Sequence, residues 1–271
     1  MSVSVIFTTY NSPDWLEKTL WGLYYQSVQD FEIVVADDGS GEETRARITQ
    51  FIKQSGRHVT HVWQPDDGFQ KTRILNKAIK QSSGDYLIFT DGDCICRSDF
   101  VATHLHYRAP GYILSGGYFK LPMQTSKLIT RSDIANGNAF NLEWLLSHGL
   151  KKTHKTMKLT ASGWWARALN AVTPAKATWN GHNASGWRCD IIAANGFDER
   201  MQYGGEDREF GERLFNQGIK ARQIRYSAVC VHLDHARGYA TAQARSENNA
   251  IRAHTKLHRM TQTPFGLEKL G

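Results

Sequence analysis

Apolar and polar positions follow two alternating rhythms along the first hundred residues. Residues 3–9 (VSVIFTT) form a β-rich apolar run that gives way to polar Tyr10 and Asn11. From Pro13 onward, Trp15, Leu16, Leu20, Leu23 and Tyr24 recur at helical spacing, predicting a helix to about residue 26 with proline in its opening turn. Residues 32–36 (EIVVA) predict a short buried strand closed by Asp37-Asp38-Gly39-Ser40. A helix to about residue 54, a strand over 59–64, a turn at Asp66-Asp67-Gly68 and a helix over 71–81 come next. Residues 85–90 (DYLIFT) predict another strand, ending at Asp91-Gly92-Asp93. Alternation of this kind predicts an α/β protein with a mainly parallel central sheet flanked by helices. Such sheets bind ligands at the carboxyl ends of their strands. Here three strand ends, at 8–11, 37–40 and 91–93, carry polar or acidic loops.

The stretch 115–190 has no clean period and spreads Trp144, Trp164, Trp165, Trp179 and Trp187 along its length. It reads as loops and short helices covering the edge of the sheet. Further on, the pattern predicts a helix from Gly204 to about 217 and a strand over 221–231. A basic helical segment with Arg245, Arg252, Lys256 and Arg259 follows Gly238. The expected organisation is one domain over 1–238, divided near 115 into a first half (about 1–115) and a second half (about 116–238), with a tail over 239–271.

Composition adds limits. At 271 residues with 41% hydrophobic, 11% aromatic and 22% charged positions, the chain is globular rather than disordered or fibrous. Its 33 Lys+Arg against 26 Asp+Glu make a net +7, which invites anionic partners. The basic residues are scattered outside the tail and the strand ends are acidic, so nucleic acid is not expected as a partner. No apolar run approaches the ~20 residues of a bilayer-spanning helix. Residues 1–15 show no signal-peptide pattern, so a cytoplasmic location is expected. Cys94, Cys96, Cys189 and Cys230 lack zinc-knuckle spacing and read as reduced, mostly buried thiols. No Walker motif, Gly-x-Gly-x-x-Gly loop or Gly-x-Ser-x-Gly elbow occurs.

Three clusters remain as candidate chemistry. Asp91-Gly92-Asp93 sets two carboxylates on a tight turn, where they either complete the turn or face a divalent cation such as Mg²⁺ or Mn²⁺ shared with substrate phosphates. His232 and His235, just past the last predicted strand, add imidazoles that suit a Mn²⁺-like ion. Tyr203-Gly204-Gly205-Glu206-Asp207 opens a helix. Its acids either oppose the helix dipole or include a general base, Glu206 or Asp207, beside a backbone that glycine lets approach a ligand.

Taken in order, these motifs resemble the family 2 glycosyltransferases of the GT-A fold. The matching features are Thr8-Thr9-Tyr10-Asn11, Asp37-Asp38-Gly39-Ser40, Gly68-Phe69-Gln70-Lys71-Thr72-Arg73 with Asn76, and Asp91-Gly92-Asp93. Asn195-Gly196-Phe197-Asp198, Gly204-Gly205-Glu206-Asp207 and the His232/His235 loop look like the C-terminal region of β4-galactosyltransferases and related bacterial chain-forming enzymes. The resemblance implies a UDP-sugar donor, with Thr8 and Tyr10 flanking uracil and ribose, Asp38 on the uracil imide and Arg73 near the nucleotide. It implies Asp91 at ribose or metal, Asp93 as direct ligand of Mn²⁺ (or Mg²⁺), and His232 or His235 completing the shell. Asp207 would be the general base of an inverting transfer, with Tyr203, Gly205 and Glu206 shaping the acceptor pocket. Tyr203 departs from the tryptophan usual before Gly-Gly-Glu-Asp. Trp164, Trp165, Trp179 and Trp187 are expected to pack in the core rather than stack on sugars.

The transferred group is then a hexose or N-acetylhexosamine, and the acceptor a glycan or lipid-linked glycan hydroxyl. By family analogy the product belongs to a bacterial surface polysaccharide or lipopolysaccharide. An inactive sugar- or nucleotide-binding relative is the alternative. The basic tail either packs back on the domain or lies on the cytoplasmic face of an anionic inner membrane.

Overall fold

The computed structural model describes residues 1–236 and 241–269. In chain order its first half runs β1 (Val3–Thr9), α1 (Pro13–Tyr24), β2 (Glu32–Asp37), α2 (Glu42–Ser55), β3 (Val59–Trp63), α3 (Lys71–Gln81), β4 (Tyr86–Asp91), β5 (Cys94–Cys96), α4 (Phe100–Tyr107), β6 (Tyr112–Ser115) and β7 (Gly117–Lys120). There follow α5 (Met123–Leu128), α6 (Arg131–Ala135), α7 (Leu142–Ser147), α8 (Met157–Thr160), α9 (Gly163–Val172), β8 (Asn183–Trp187), α10 (Arg188–Ala193), α11 (Glu206–Asn216), β9 (Lys220–Gln223), β10 (Val229–His232) and α12 (Ala242–Leu257).

Seven strands form the central sheet in the order β3-β2-β1-β4-β8-β6-β9. The pairs among β3, β2, β1 and β4 are parallel, while β8 runs antiparallel to both of its neighbours. Strand alternation divides the apolar side chains between two faces. Val5, Phe7, Ile33 and Val35 pack with Leu16, Leu20 and Trp21 of α1. Ile6, Val34 and Ala36 meet Ile74, Ala78 and Ile79 of α3 on the other face, where Phe197, Phe210 and Trp179 extend the layer. A smaller sheet, β5-β10-β7, stands beside the end of β4.

The stretch expected to be loops and short helices over the edge holds two strands, β7 and β8, and β8 lies inside the central sheet. Its sequence, Asn183-Ala-Ser-Gly-Trp187, lacks the apolar alternation that marks a strand. Tertiary partners satisfy the polar side chains instead. Asn183 Nδ2 donates to the carbonyls of Gly117 (2.8 Å) and Ala228 (3.0 Å), and its Oδ1 pairs with His104 Nε2 at 3.0 Å. Ser185 Oγ lies 2.7 Å from both the Tyr86 hydroxyl and His104 Nδ1. Burial pushes the His104 imidazole down to about 4, so it serves this network neutral. The strand expected over 221–231 is two strands. β9 joins β6 in the central sheet and β10 joins β5 and β7 in the small one. Residues 224–228 carry the chain from one sheet to the other.

Gly116 backs directly onto this network. A Cβ there would lie 1.8 Å from Asn183 Oδ1, in a side chain that three hydrogen bonds hold in place. Gly116→Ala is therefore expected to cost about 2–3 kcal/mol by overpacking. The measurement is a urea melt, and an unchanged midpoint would mean that the Asn183 network is not rigid.

α12 lies against α11: Arg252 and Lys256 both reach Glu212, at 2.6 and 3.2 Å, and the Thr255 hydroxyl donates to Glu209. Residues 263–268 then close over Asn195, whose Nδ2 donates to the Thr263 and Glu268 carbonyls. The boundary expected at 238/239 lies outside the described residues. Cys94, Cys96 and Cys230 are buried free thiols and Cys189 an exposed one. Among the described residues no helix is long and apolar enough to cross a membrane. Trp179 is fully buried in the core and Trp187 half-buried against it, whereas Trp164 and Trp165 are exposed, contrary to expectation. Both sit on the solvent side of α9, and their apolar bulk does not bring them inside because the inner positions of that helix fall to Ala166 and Asn170.

Candidate active site

A cleft of about 560 Å³ opens where β1, β2 and β4 end, and the far rim of the small sheet closes it. Thr8, Tyr10, Asp38, Asp91, Asp93, Tyr203, Glu206, Asp207, His232 and His235 all line it. Positions spread over 228 residues of chain thus share one cavity, because parallel crossovers bring the ends of β1, β2 and β4 to one edge and the small sheet and the start of α11 meet them there.

The two acids that end β2 part company. Asp37 turns inward, accepting from the Ser40 amide at 2.8 Å and facing His61 at 2.8 Å, so it builds the turn. Asp38 faces the cleft, held by the Gln64 side chain (2.7 Å) and the Gln70 amide (2.9 Å). Burial pushes its carboxyl up to about 6 against those two hydrogen bonds. Tyr10 is half-exposed at the rim and donates to Asp66 at 2.7 Å.

Asp91 sits at the floor. Thr8 Oγ1 donates to it at 3.3 Å and Lys71 Nζ at 2.8 Å. Burial alone would raise this carboxyl, but the Lys71 charge and hydrogen bond overcome it and hold Asp91 down to about 2. Burial likewise works against the Lys71 ammonium, yet Asp91, Asp207 and Glu206 together raise it above the ordinary lysine value. Lys71 is thus the fixed cation of a site otherwise crowded with acids.

Two residues on, Asp93 faces the small sheet. Its Oδ2 lies 2.9 Å from His235 Nε2 and 3.5 Å from His232 Nε2, with the two imidazoles stacked at 5.3 Å. One ligand atom from each of the three lies within 4.8 Å of the others. His232 Nδ1 is buried and finds no hydrogen-bond partner among the described residues. A carboxylate and two imidazoles converging at the cleft wall are a donor set that fits Mn²⁺ and leaves coordination positions for phosphate oxygens.

Opposite lies the start of α11. Gly204 and Gly205 take φ of +110° and +99°, a region costly for any residue with a Cβ. Their backbone passes under α12, whose buried Asn248 Nδ2 donates to the Gln202 and Gly204 carbonyls at 2.9 Å each. Glu206 accepts from the Gly204 amide at 2.7 Å. Burial, then repulsion from Asp207, pushes Glu206 up to about 7. Asp207 Oδ2 accepts from the Gly181 amide at 2.8 Å, while Oδ1 is buried with no hydrogen-bond partner among the described residues. Burial raises Asp207 too, partly offset by Lys71.

Two of the residues singled out from the sequence stand apart. Arg73 lies outside the cleft lining, half-exposed, with its guanidinium 3.5 Å from Asp67. Gly205 lines no part of the cleft and faces the Arg252 side chain instead. Helical geometry accounts for Arg73: Lys71 and Arg73 are two residues apart on α3, so they point to different sides. Lys71 lay in the motif quoted above but gained no role there. His182, Tyr118 and Trp15 line the cleft without any local signal. His182 packs edge-on against Tyr118 at 4.5 Å, and burial lowers its imidazole to about 4.

Residues 4–127 match the family model described as Glycosyl transferase family 2. The uncharacterized glycosyltransferase YfnE of Bacillus subtilis (strain 168) is 27% identical over 268 residues, covering 87% of this chain and 65% of its own length. The chain thus spans somewhat less than two thirds of that relative. Among solved structures, a mannosyltransferase from Pyrobaculum calidifontis in complex with GDP-Man and Mn²⁺ superposes with a TM-score of 0.62 at 18% identity, over 94% of this chain and 64% of its own. GalNAc-T7 with UDP, GalNAc and Mn²⁺ gives 0.65 at 14%, over 94% and 48%. The fold is that of the GT-A glycosyltransferases, and the family match together with the relatives supports a family 2 glycosyltransferase.

Proposed function

We propose that this protein is an inverting, metal-dependent glycosyltransferase that moves a hexose or N-acetylhexosamine from a UDP-sugar to a hydroxyl of a glycan. One observation carries the reading. A carboxylate–imidazole cluster (Asp93, His232, His235) and a buried carboxylate with an unpartnered oxygen (Asp207) share one cleft at the strand ends. The two neighbours above were solved with different nucleotides, so the fold alone does not choose the base. The choice of UDP rests on Asp38 and on the resemblance of its loop.

In this reading the first half of the chain, about 1–115, holds the nucleotide. Asp38 accepts from the uracil imide, already aimed by Gln64 and Gln70. Thr8 and Tyr10 border the base and ribose. Lys71 keeps Asp91 ionised and oriented toward the ribose or the ion, and its charge offsets some of the acidity that would otherwise repel a diphosphate. Asp93, His232 and His235 would hold Mn²⁺ or Mg²⁺. That ion supplies Lewis-acid stabilisation of the leaving diphosphate.

The second half, about 116–238, presents the acceptor. The Gly181 amide fixes one oxygen of Asp207 and leaves the other for the acceptor hydroxyl. Its raised pKa makes Asp207 a stronger base than a surface aspartate. As the hydroxyl oxygen bonds to the anomeric carbon, its proton passes to Asp207 Oδ1 and the bond to the diphosphate breaks on the opposite face. A single displacement inverts the centre. Tyr203 and Glu206 wall the acceptor pocket. By resemblance, the acceptor belongs to a bacterial surface polysaccharide or lipopolysaccharide under construction at the cytoplasmic side of the inner membrane.

The test is calorimetry with UDP, UDP-Gal, UDP-GalNAc, UDP-GlcNAc and UDP-GlcA, each with Mn²⁺ and with EDTA. Mn²⁺-dependent binding of one of them supports the reading and identifies the donor. No binding of any uridine nucleotide removes it.

A pH dependence follows from Asp38. Its carboxyl titrates at about 6, so the ionised acceptor is present above that pH and is lost below it. UDP affinity is expected to be flat above about pH 7 and to fall roughly tenfold per pH unit well below 6. A Kd that does not change between pH 5 and 8 would take Asp38 off the base.

A further inference from the structure

α9 carries its apolar face outward. Along its turns Trp164, Trp165, Ala171 and Val172 point to solvent, with Trp164 71%, Trp165 46% and Val172 75% exposed. These positions, with half-buried Ala168 between them, fall on one helical stripe. The opposite face is anchored. Ala166 is buried, Asn170 Nδ2 donates to Ser227 Oγ at 2.8 Å, and Asn170 Oδ1 accepts from the Tyr226 amide at 2.8 Å. The helix is therefore held with its tryptophans outward rather than left loose.

The stretch of chain that carries the stripe has charge of one sign. No Asp or Glu occurs between Glu143 and Asp190, while Lys151, Lys152, Lys155, Arg167 and Lys176 are all exposed. Asp99, in the adjoining groove, is neutralised by Arg97 through two hydrogen bonds of 2.6 and 2.9 Å. Exposed indoles on a helix whose own stretch of chain is cationic and free of acids match the layered chemistry of an anionic lipid interface, with apolar rings at headgroup depth and lysines on the phosphates. Protein interfaces are depleted in lysine, whereas the segment leading into this face exposes Lys151, Lys152 and Lys155.

We propose that the α8–α9 face docks on an anionic bilayer surface through Trp164 and Trp165, with the exposed Lys151, Lys152 and Lys155 of the segment leading into α8 supplying positive charge. The cleft is tied to that face. Lys158 of α8 donates to the Tyr118 carbonyl at 2.9 Å, and Tyr118 lines the cleft. Docking there would hold the cleft beside an acceptor anchored in the same membrane. This consequence rests on the function proposed above, whereas the docking itself does not. It also moves the membrane contact away from α12, whose Arg252 and Lys256 are engaged with Glu212.

The experiment is co-sedimentation of the full chain with sucrose-loaded phosphatidylcholine vesicles, with and without phosphatidylglycerol, in the absence of donor and acceptor. The protein is expected to pellet with the anionic vesicles and to be released by high salt. The W164S/W165S and K151Q/K152Q/K155Q variants are expected to lose at least about tenfold in partitioning, and K256Q none. Because all five positions are exposed, circular dichroism melts should match the parent. Lipids brominated near the headgroup should quench tryptophan fluorescence in the parent, an arm independent of any variant. Equal pelleting with neutral and anionic vesicles, or pelleting that survives W164S/W165S, would overturn the proposal. So would a dimer in sedimentation that W164S/W165S abolishes, in protein that binds no lipid. Failure here leaves the nucleotide titrations intact, and failure of those leaves vesicle binding intact.

Discussion

Asp207→Asn is expected to lower glycosyl transfer by about 10³-fold, within the range by which a positioned general base accelerates a reaction. Nucleotide binding should hold. The substitution preserves shape and still offers an oxygen to the Gly181 amide, so the start of α11 keeps its tie to Gly181. What disappears is an atom able to take the acceptor proton. Because Asp207 is one of the carboxylates around Lys71, the variant also leaves that ammonium one counter-charge fewer, while its direct partner Asp91 remains at 2.8 Å. The signature is therefore a fall in kcat with little movement in the donor Kd. Product-release assays alongside calorimetry measure both. A variant that keeps most of the parent's rate would move the base elsewhere, with Glu206 the first place to look.

Asp93→Ala is expected to abolish metal-dependent donor binding. Disturbing the outer partners of metal ligands already costs about 10–100-fold in affinity, and removing a ligand should cost at least about 100-fold. The remaining pair, His232 and His235, would keep two imidazoles stacked at 5.3 Å but no negative charge to fix a divalent ion between them. EDTA should reproduce the effect in the parent and add nothing to the variant. Titration of Mn²⁺ alone, read by calorimetry, isolates this from any change in nucleotide contact. If Asp93→Ala leaves UDP binding and its EDTA sensitivity untouched, the Asp93–His232–His235 cluster is structural and Asp91 becomes the candidate ligand.

The chain order alone determined the architecture from β1 to β4 and the acids at the strand ends. β1, β2 and β4 are built on apolar runs, β3 sets Val59 and Val62 around Thr60 and His61, and α3 shows its period over the same span, Lys71–Gln81, that the structure displays. That much is local, since alternation and turn residues act within a few positions of one another. The order of the later motifs placed Glu206, Asp207, His232 and His235 as candidates, and all four face the cleft.

Tertiary structure decided the rest. β8 has no strand pattern because Asn183 and Ser185 are satisfied by His104, Tyr86 and distant carbonyls, and no local window contains those partners. The single strand expected over 221–231 divides because β9 and β10 pair in different sheets, a choice made by their neighbours. Asp37 and Asp38 are indistinguishable as text, yet one builds a turn and the other opens into the cleft. Lys71 became central, and Arg73 peripheral, through the direction each takes from α3. The charge of Lys71 has meaning only beside Asp91, Asp207 and Glu206, which lie 20 to 136 residues away along the chain. Nor could periodicity say whether the tryptophans of α9 face core or solvent. An amphipathic stripe looks the same from either side, and only the anchoring of Ala166 and Asn170 sets which side is in.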